Sequence, residues 1–347
     1  MTRTARTLSV AGGIAVALIL AMLVIPVPYL VLGPTVPTNT LGNDPGSNSP
    51  VCAVKGATHP NPQGTLALTT VGITRDRPPM IQAFWRWLAH DHEAVVPRSV
   101  IYAPGKSDQQ SDKEDRQQMT DSRAAAVQAA EGELDTNDIL VGGFTPGSKA
   151  TGVLQVGDRV RTVDGQPVTT VDQLRGILAT IHPGTVVTLG LQRGTTTVPA
   201  KVTTTSVTEN GVTRTLLGFS LPRVDASFNL DNVSGPSAGL MFALCIIDKL
   251  TPDDLAAGLR VAGTGDISNA GDVGPIGGIQ QKLYGAQAHG YQYFFVPADN
   301  CGEAKGAHLS GMRLIRIPRS TKTVTSLHVA REDLLALKAG KTDLPGC

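Results

Sequence analysis

Residues 232–250 read NVSGPSAGLMFALCIIDKL, and residues 263–282 read GTGDISNAGDVGPIGGIQQK. In the first stretch Ser237 sits among small residues, just ahead of an apolar run through Leu240, Met241, Leu244, Ile246 and Ile247. That pattern predicts a buried helix entered at Pro236, with Ser237 at its start. Gly235 and Gly239 allow the backbone to pack closely there. A hydroxyl at a helix start lies beside unpaired N–H groups and the positive end of the helix dipole. Such groups stabilise a developing oxyanion. The second stretch predicts two short strands punctuated by glycine, then Gly277-Gly278, then a helix carrying Lys282. A lysine enclosed by apolar groups sheds its proton readily and can serve as a base.

The paired segments resemble the proteolytic domain of Lon proteases. In that family the serine of a PSAG motif and a lysine after PIGG form a Ser-Lys dyad. The matching residues here are Pro236, Ser237, Ala238 and Gly239, then Pro275, Ile276, Gly277, Gly278 and Lys282. Gly263, Thr264, Gly265 and Asp266 are similar to the family's TGE segment, whose threonine supports the lysine. Ser234 stands where ATP-dependent Lon enzymes usually carry Asp. The whole chain resembles the membrane-anchored, ATPase-free Lon-like proteases that carry a PDZ domain.

Upstream, residues 139–178 read ILVGGFTPGSKATGVLQVGDRVRTVDGQPVTTVDQLRGIL and resemble a PDZ domain of the bacterial protease type. Asp164-Gly165 is a hairpin turn signal. Residues 171–179 are the expected groove helix, with Asp172 in its first turn. Residues 139–144 are the expected edge strand that accepts a substrate strand. The resemblance implies peptide binding at this groove.

The amino terminus carries Arg3 and Arg6, then an uncharged apolar run over 8–25, extended by PVPYLVLG. Its length meets the threshold for a membrane span. A cleaved signal peptide and an uncleaved anchor both fit, and the absence of a small-x-small cleavage site favours the anchor. The positive-inside rule then puts the arginines in the cytoplasm and the remainder outside. Residues 80–88 (MIQAFWRWL) predict an amphipathic helix with Phe84, Trp85 and Trp87 packed on a core, or else turned to a membrane. Residues 106–116 read as a charged loop and 120–131 as a helix.

A formal net charge of +1 over 347 residues gives no nucleic-acid footprint. Cys52, Cys245, Cys301 and Cys347 lack metal-ligand spacing. Cys245 reads as a buried thiol. Cys301 and Cys347 are a candidate disulfide pair if that region meets an oxidising compartment. Gly142–Lys149 (GGFTPGSK) departs from a phosphate-binding loop because Ser148 separates Gly147 from Lys149, so no nucleotide site is expected. Gly235–Gly239 also fits the GxSxG elbow of α/β-hydrolases, with His289, His308 or His328 as the partner that fold requires.

The expected fold is α/β (α+β): a Lon-type protease domain, an inserted β-rich PDZ domain and one N-terminal transmembrane helix. The expected divisions are 1–7 cytoplasmic tip, 8–32 anchor, 33–62 linker, 63–137 first part of the protease body, 138–205 PDZ domain and 206–347 proteolytic domain. The expected function is a membrane-bound, ATP-independent serine endopeptidase using Ser237, Lys282 and Thr264. Its partners would be protein or peptide substrates and the lipid bilayer, with no cofactor, metal, nucleotide or nucleic acid. The alternatives are an inactive membrane-tethered PDZ adaptor and an α/β-hydrolase.

Overall fold

The computed structural model describes residues 3–57, 63–74, 77–102, 105–135, 139–194, 196–209, 212–221, 224–230, 233–251 and 254–347. Asp138, an expected boundary, and Asn232, the first residue of the 232–250 stretch, lie outside the described residues, as do the last five residues of the expected linker. The helices in chain order are α1 (Arg3–Val24), α2 (Met80–Ala89), α3 (Arg98–Ile101), α4 (Asp108–Asp135), α5 (Val171–Ala179), α6 (Gly239–Leu250), α7 (Ile279–Ala288), α8 (Cys301–Ala304) and α9 (Ser326–Lys338).

The larger body is a five-stranded sheet in the order Thr38–Asn39, Thr65–Leu68, Arg260–Gly263, Tyr293–Pro297, Arg313–Ile317. The last four strands run parallel, and Thr38–Asn39 pairs antiparallel at one edge. Alternation along each strand sends side chains to opposite faces. Leu66, Leu68, Val261, Phe295 and Ile315 join the core built with α4, α6 and α9. Ala67, Ala262, Phe294 and Val296 join the core built with α7. Both faces are therefore covered, which explains why these strands read as apolar runs. The central strand ends at Gly263, so Thr264 stands at the carboxyl edge of the sheet between α6 and α7.

A separate core forms within residues 139–217. It contains Ile139, Val160, Leu174, Leu189, Val202 and Leu217. Its sheet follows the order Gln166–Pro167, Arg159–Val163, Val186–Arg193, Thr196–Thr203, with Ile139–Leu140 on Arg159–Val163. Asp164 and Gly165 take positive φ (46° and 83°), as a primed hairpin turn requires. Thr170 caps α5, accepting from Gln173 N at 3.2 Å. The larger core draws on residues 41–130 and again on 228–344, so the chain leaves it and returns.

The N-terminal expectation is corrected. Among the described residues, no helix is long and apolar enough to cross a membrane. Helix α1 ends at Val24, ahead of Pro26. Its uncharged part, 8–24, spans roughly 26 Å at about 1.5 Å per residue, short of the ~30 Å hydrocarbon thickness. The apolar residues beyond it are sheet core: Tyr29–Pro34 is a strand between Ala94–Pro97 and Val71–Ile73, with Leu30, Val31 and Leu32 buried. This overturns the single-pass anchor and the extracytoplasmic placement that rested on it.

Three local expectations also change. Residues 33–62, read as a linker, carry the strands Thr38–Asn39 and Cys52–Val54, with Leu41, Val51 and Cys52 buried. The charged stretch 106–116 belongs largely to α4, where Lys113, Glu114 and Arg116 are exposed while Met119, Ala126 and Ala130 enter the core. Phe84, Trp85 and Trp87 of α2 do not pack inward, being 47%, 60% and 65% exposed.

Candidate active site

Helix α6 begins at Gly239, so Ser237 occupies the turn ahead of it rather than its first turn. That turn is fixed from two sides. Ser122 Oγ of α4 donates to Pro236 O at 2.8 Å, and Gly265 N donates to Ser237 O at 2.9 Å. Gly239 is required by closeness: a Cβ there would lie 2.6 Å from Ile267 Cγ2 and 2.9 Å from Ser122 Oγ. Helix α7 starts after Gly278, which holds the left-handed region at φ 67°. Lys282 N donates to Gly278 O, placing the lysine on the first turn of α7.

The three side chains singled out from sequence meet. Lys282 Nζ lies 2.8 Å from Ser237 Oγ and 2.9 Å from Thr264 Oγ1. Thr264 Oγ1 also donates to Ser237 O at 3.0 Å. Thr264 is fully buried, Lys282 is 3% exposed, and Ser237 is half-buried. Burial brings the Lys282 amine down from the ordinary lysine range to about 7. The site opens onto a cavity of about 410 Å³, lined by Pro236, Ser237, Pro275, Ile276, Gly277 and Lys282. An amine partly neutral near pH 7 in hydrogen-bond contact with a serine hydroxyl is the geometry that a base–nucleophile pair requires.

The histidines stand elsewhere. The His289 ring pairs with Gly285 O at 2.8 Å, and His328 Nδ1 pairs with Glu133 Oε1 at 2.9 Å. The strand before Ser237, Ala226–Phe228, ends well short of it. A hydrolase elbow needs a strand running directly into the serine and a histidine beside it, so that alternative loses both supports. Ser234 is exposed. Among the described residues no cluster of His, Cys, Asp or Glu is placed to hold a metal ion.

Sequence reasoning missed two polar residues that hold the site. Ser122 lies more than a hundred positions before Pro236, and Asn300 reaches Ile276 from beyond the central strands. Neither carries a local signal, because each acts on backbone brought near it only by folding.

Residues 184–315 match the model of the Lon protease C-terminal proteolytic domain, and residues 140–193 match that of a PDZ domain. Both domains are present in this chain. The matches overlap at 184–193, where the strand Val186–Arg193 pairs inside the sheet of the 139–217 core. The Lon protease of Vibrio parahaemolyticus is 39% identical over 66 residues, 19% of this chain and 8% of that protein. The Lon protease of Mesomycoplasma hyopneumoniae is 34% identical over 90 residues, 26% of this chain and 9% of that protein. The chain thus spans about a tenth of the length of the curated relatives it matches. Among solved structures, the PDZ domain of an SdrC-like protein from Listeria monocytogenes is 18% identical, with a TM-score of 0.22, covering 25% of this chain and 87% of that one.

Proposed function

We propose that this chain is a serine-type endopeptidase working through a Ser237–Lys282 dyad supported by Thr264. The observation that carries the proposal is the 2.8 Å contact between Ser237 Oγ and a buried amine held near neutrality. The neutral Lys282 amine has two N–H donors and one lone pair. Thr264 Oγ1, its own hydrogen committed to Ser237 O, accepts one of those N–H groups, which turns the lone pair towards Ser237 Oγ. As Ser237 Oγ attacks a peptide carbonyl carbon, its proton passes to Lys282 Nζ. The tetrahedral oxygen is stabilised by backbone N–H groups of the turn at Ser237 and Ala238, at the positive end of α6. The C–N bond breaks as the Lys282 ammonium protonates the leaving amine. Water then attacks the acyl carbonyl carbon as its proton passes to Lys282; the ester C–O bond breaks, the carboxylic acid leaves, and Lys282 returns the proton to Ser237 Oγ. The substrates we assign to it are exposed tails, loops or unfolded segments of proteins.

We assign the protease body to the larger core and substrate recruitment to the PDZ module inserted in it. The edge expected to receive peptide, 139–144, is already used: Ile139–Leu140 pairs with Arg159–Val163, and Gly143–Phe144 pairs with Phe219–Ser220. Gly142 N donates to Ser220 O and Thr145 N to Gly218 O, so Gly218 and Ser220 face that strand. In an antiparallel ladder the alternate residues turn their backbone groups the other way. Phe219 and Leu221 therefore offer the edge for strand addition, beside the core that α5 covers.

The test is labelling of Ser237 by an acylating serine probe across pH, with folding followed by circular dichroism. Labelling and peptide cleavage are expected to rise as pH increases through about 7, where the amine loses its proton. Ser237→Ala abolishes both. Lys282→Arg keeps the charge but cannot deprotonate, and it is expected to lose at least about 10³-fold. A folded Lys282→Arg protein with wild-type rates would sink the dyad.

A further inference from the structure

The wall of the cavity facing Ser237 is the loop Pro275, Ile276, Gly277, which runs through Gly278 into the lysine helix. Proline and glycine supply no side-chain polar group, and this loop is held from outside. Ile276 N donates to Asn300 Oδ1 at 2.9 Å, and Asn300 Nδ2 donates to Ile276 O at 2.8 Å. A short primary amide carries an acceptor and donors in one plane, so it can grip both polar groups of one residue; a carboxylate or an alkyl group cannot. Asn300 is 5% exposed, which makes each bond costly to lose.

Asn300 is itself braced. It ends a short 3-10 turn, Ala298–Asn300, after the core strand Tyr293–Pro297. The next residue, Cys301, forms a disulfide with Cys347. Gln280 Nε2 of α7 donates to Glu303 O of α8 at 3.0 Å. The Ile276 side chain packs, as Cys301 and Cys347 do, against the core that includes Ile279, Phe294 and Ala304. The wall is therefore referenced to the sheet and the C-terminal segment, while the nucleophile is referenced to α4 through Ser122 and Pro236.

We propose that Asn300 is a positioning residue. By gripping the Ile276 backbone it fixes the distance between the Ile276 wall and Ser237, and so sets a preference for small or medium apolar side chains beside the scissile bond. The apolar surfaces of Pro236, Pro275 and Ile276 supply that chemistry. This rests on the endopeptidase reading, since it concerns which peptide the same serine accepts.

The experiment compares wild type, Asn300→Asp and Asn300→Ser on unstructured peptides that differ only in having Ala, Leu or Phe before the scissile bond. Asn300→Asp keeps the size and the acceptor but sets a carboxylate oxygen against Ile276 O. Asn300→Ser shortens the reach and folds even if Asp is not tolerated. Loss of the grip is expected to raise KM for the preferred peptide about tenfold and to flatten the Ala, Leu, Phe preference. The rise of kcat with pH near 7 should stay in place, because burial of Lys282 sets it. A residue needed only for stability would lower the active fraction, and hence kcat, with KM and side-chain preference unchanged; that result overturns the proposal. Wild-type protein that cleaves none of the peptides and takes no serine probe would instead remove the endopeptidase reading, and this inference with it.

Discussion

Burial that holds the Lys282 amine at about 7 makes the fold pay for the site in a pH-dependent way. From about 7 up to the ordinary value of 10.5, an unfolded lysine binds a proton that the folded one lacks, so stability rises with pH across that window. Below about 7 both states hold the proton, and the folded state bears the full cost of a buried ammonium, about 5 kcal/mol. Lys282→Met fills the same space without charge. It is expected to be more stable than wild type by several kcal/mol near pH 6 and to converge with it near pH 10.5. Urea unfolding at a series of pH values reads this directly, and a gap independent of pH would contradict it. Thr264→Val tests the other contact. Ser237 O keeps its bond from Gly265 N, but the amine loses its buried acceptor. The variant should fold, cost about 1–2 kcal/mol in stability, and cleave peptide about 10–100-fold more slowly. Undiminished kcat in the folded variant would remove Thr264 from the mechanism.

At the scale of elements, the site depends on how closely two helices approach one strand end. Helix α6 comes near enough to the Asp266–Ile267 strand that a methyl group on Gly239 has no room. Gly239→Ala is expected to destabilise the protein by about 1–3 kcal/mol through overpacking. It should also slow Ser237 acylation, since the displaced turn carries the nucleophile. A thermal melt with probe labelling checks both, and an unchanged melt would mean that Ile267 yields without cost. The elements most legible in sequence were those where local chemistry and burial agree. The groove helix Val171–Ala179 follows its cap and apolar spacing. Helix α4 was underestimated because only one side of its first half touches the core, and a charged stretch carries no apolar period strong enough to distinguish it from a loop.

At the scale of the molecule, two bodies share the chain: the larger sheet with a core on each face, and the insert with its own. The segment 139–221 packs on itself, and the chain re-enters the larger body where Val224 N donates to Glu131 Oε1 of α4 at 2.7 Å. That bond brings the two ends of the insert close together. Replacing 138–221 with a short glycine-rich linker should leave the larger core folded and hydrolysis of a short peptide largely intact. Cleavage of a full-length unfolded protein should fall about tenfold or more as the recruiting edge is lost. Equal loss of both activities would mean that the insert holds the protease body together.

The sequence by itself determined the apolar runs that become strands covered on both faces, and the small-residue motifs around Ser237, Thr264 and Lys282. Steric closeness and turn geometry admit few residue types at those places, so they are written locally. Only the tertiary structure decided that the three side chains meet, because Ser237 and Lys282 arrive from opposite faces of the sheet and join at the end of its central strand. It also decided the fate of the N-terminal apolar run. Hydropathy registers that a stretch avoids water but not what replaces the water: only the extension of the run, residues 30–32, is buried in a sheet, while Val10, Ile14, Leu18 and Val24 of α1 stay exposed. Asn300 and Ser122 were invisible for the same reason: their partners are backbone atoms, which carry no sequence signature and are chosen by position alone.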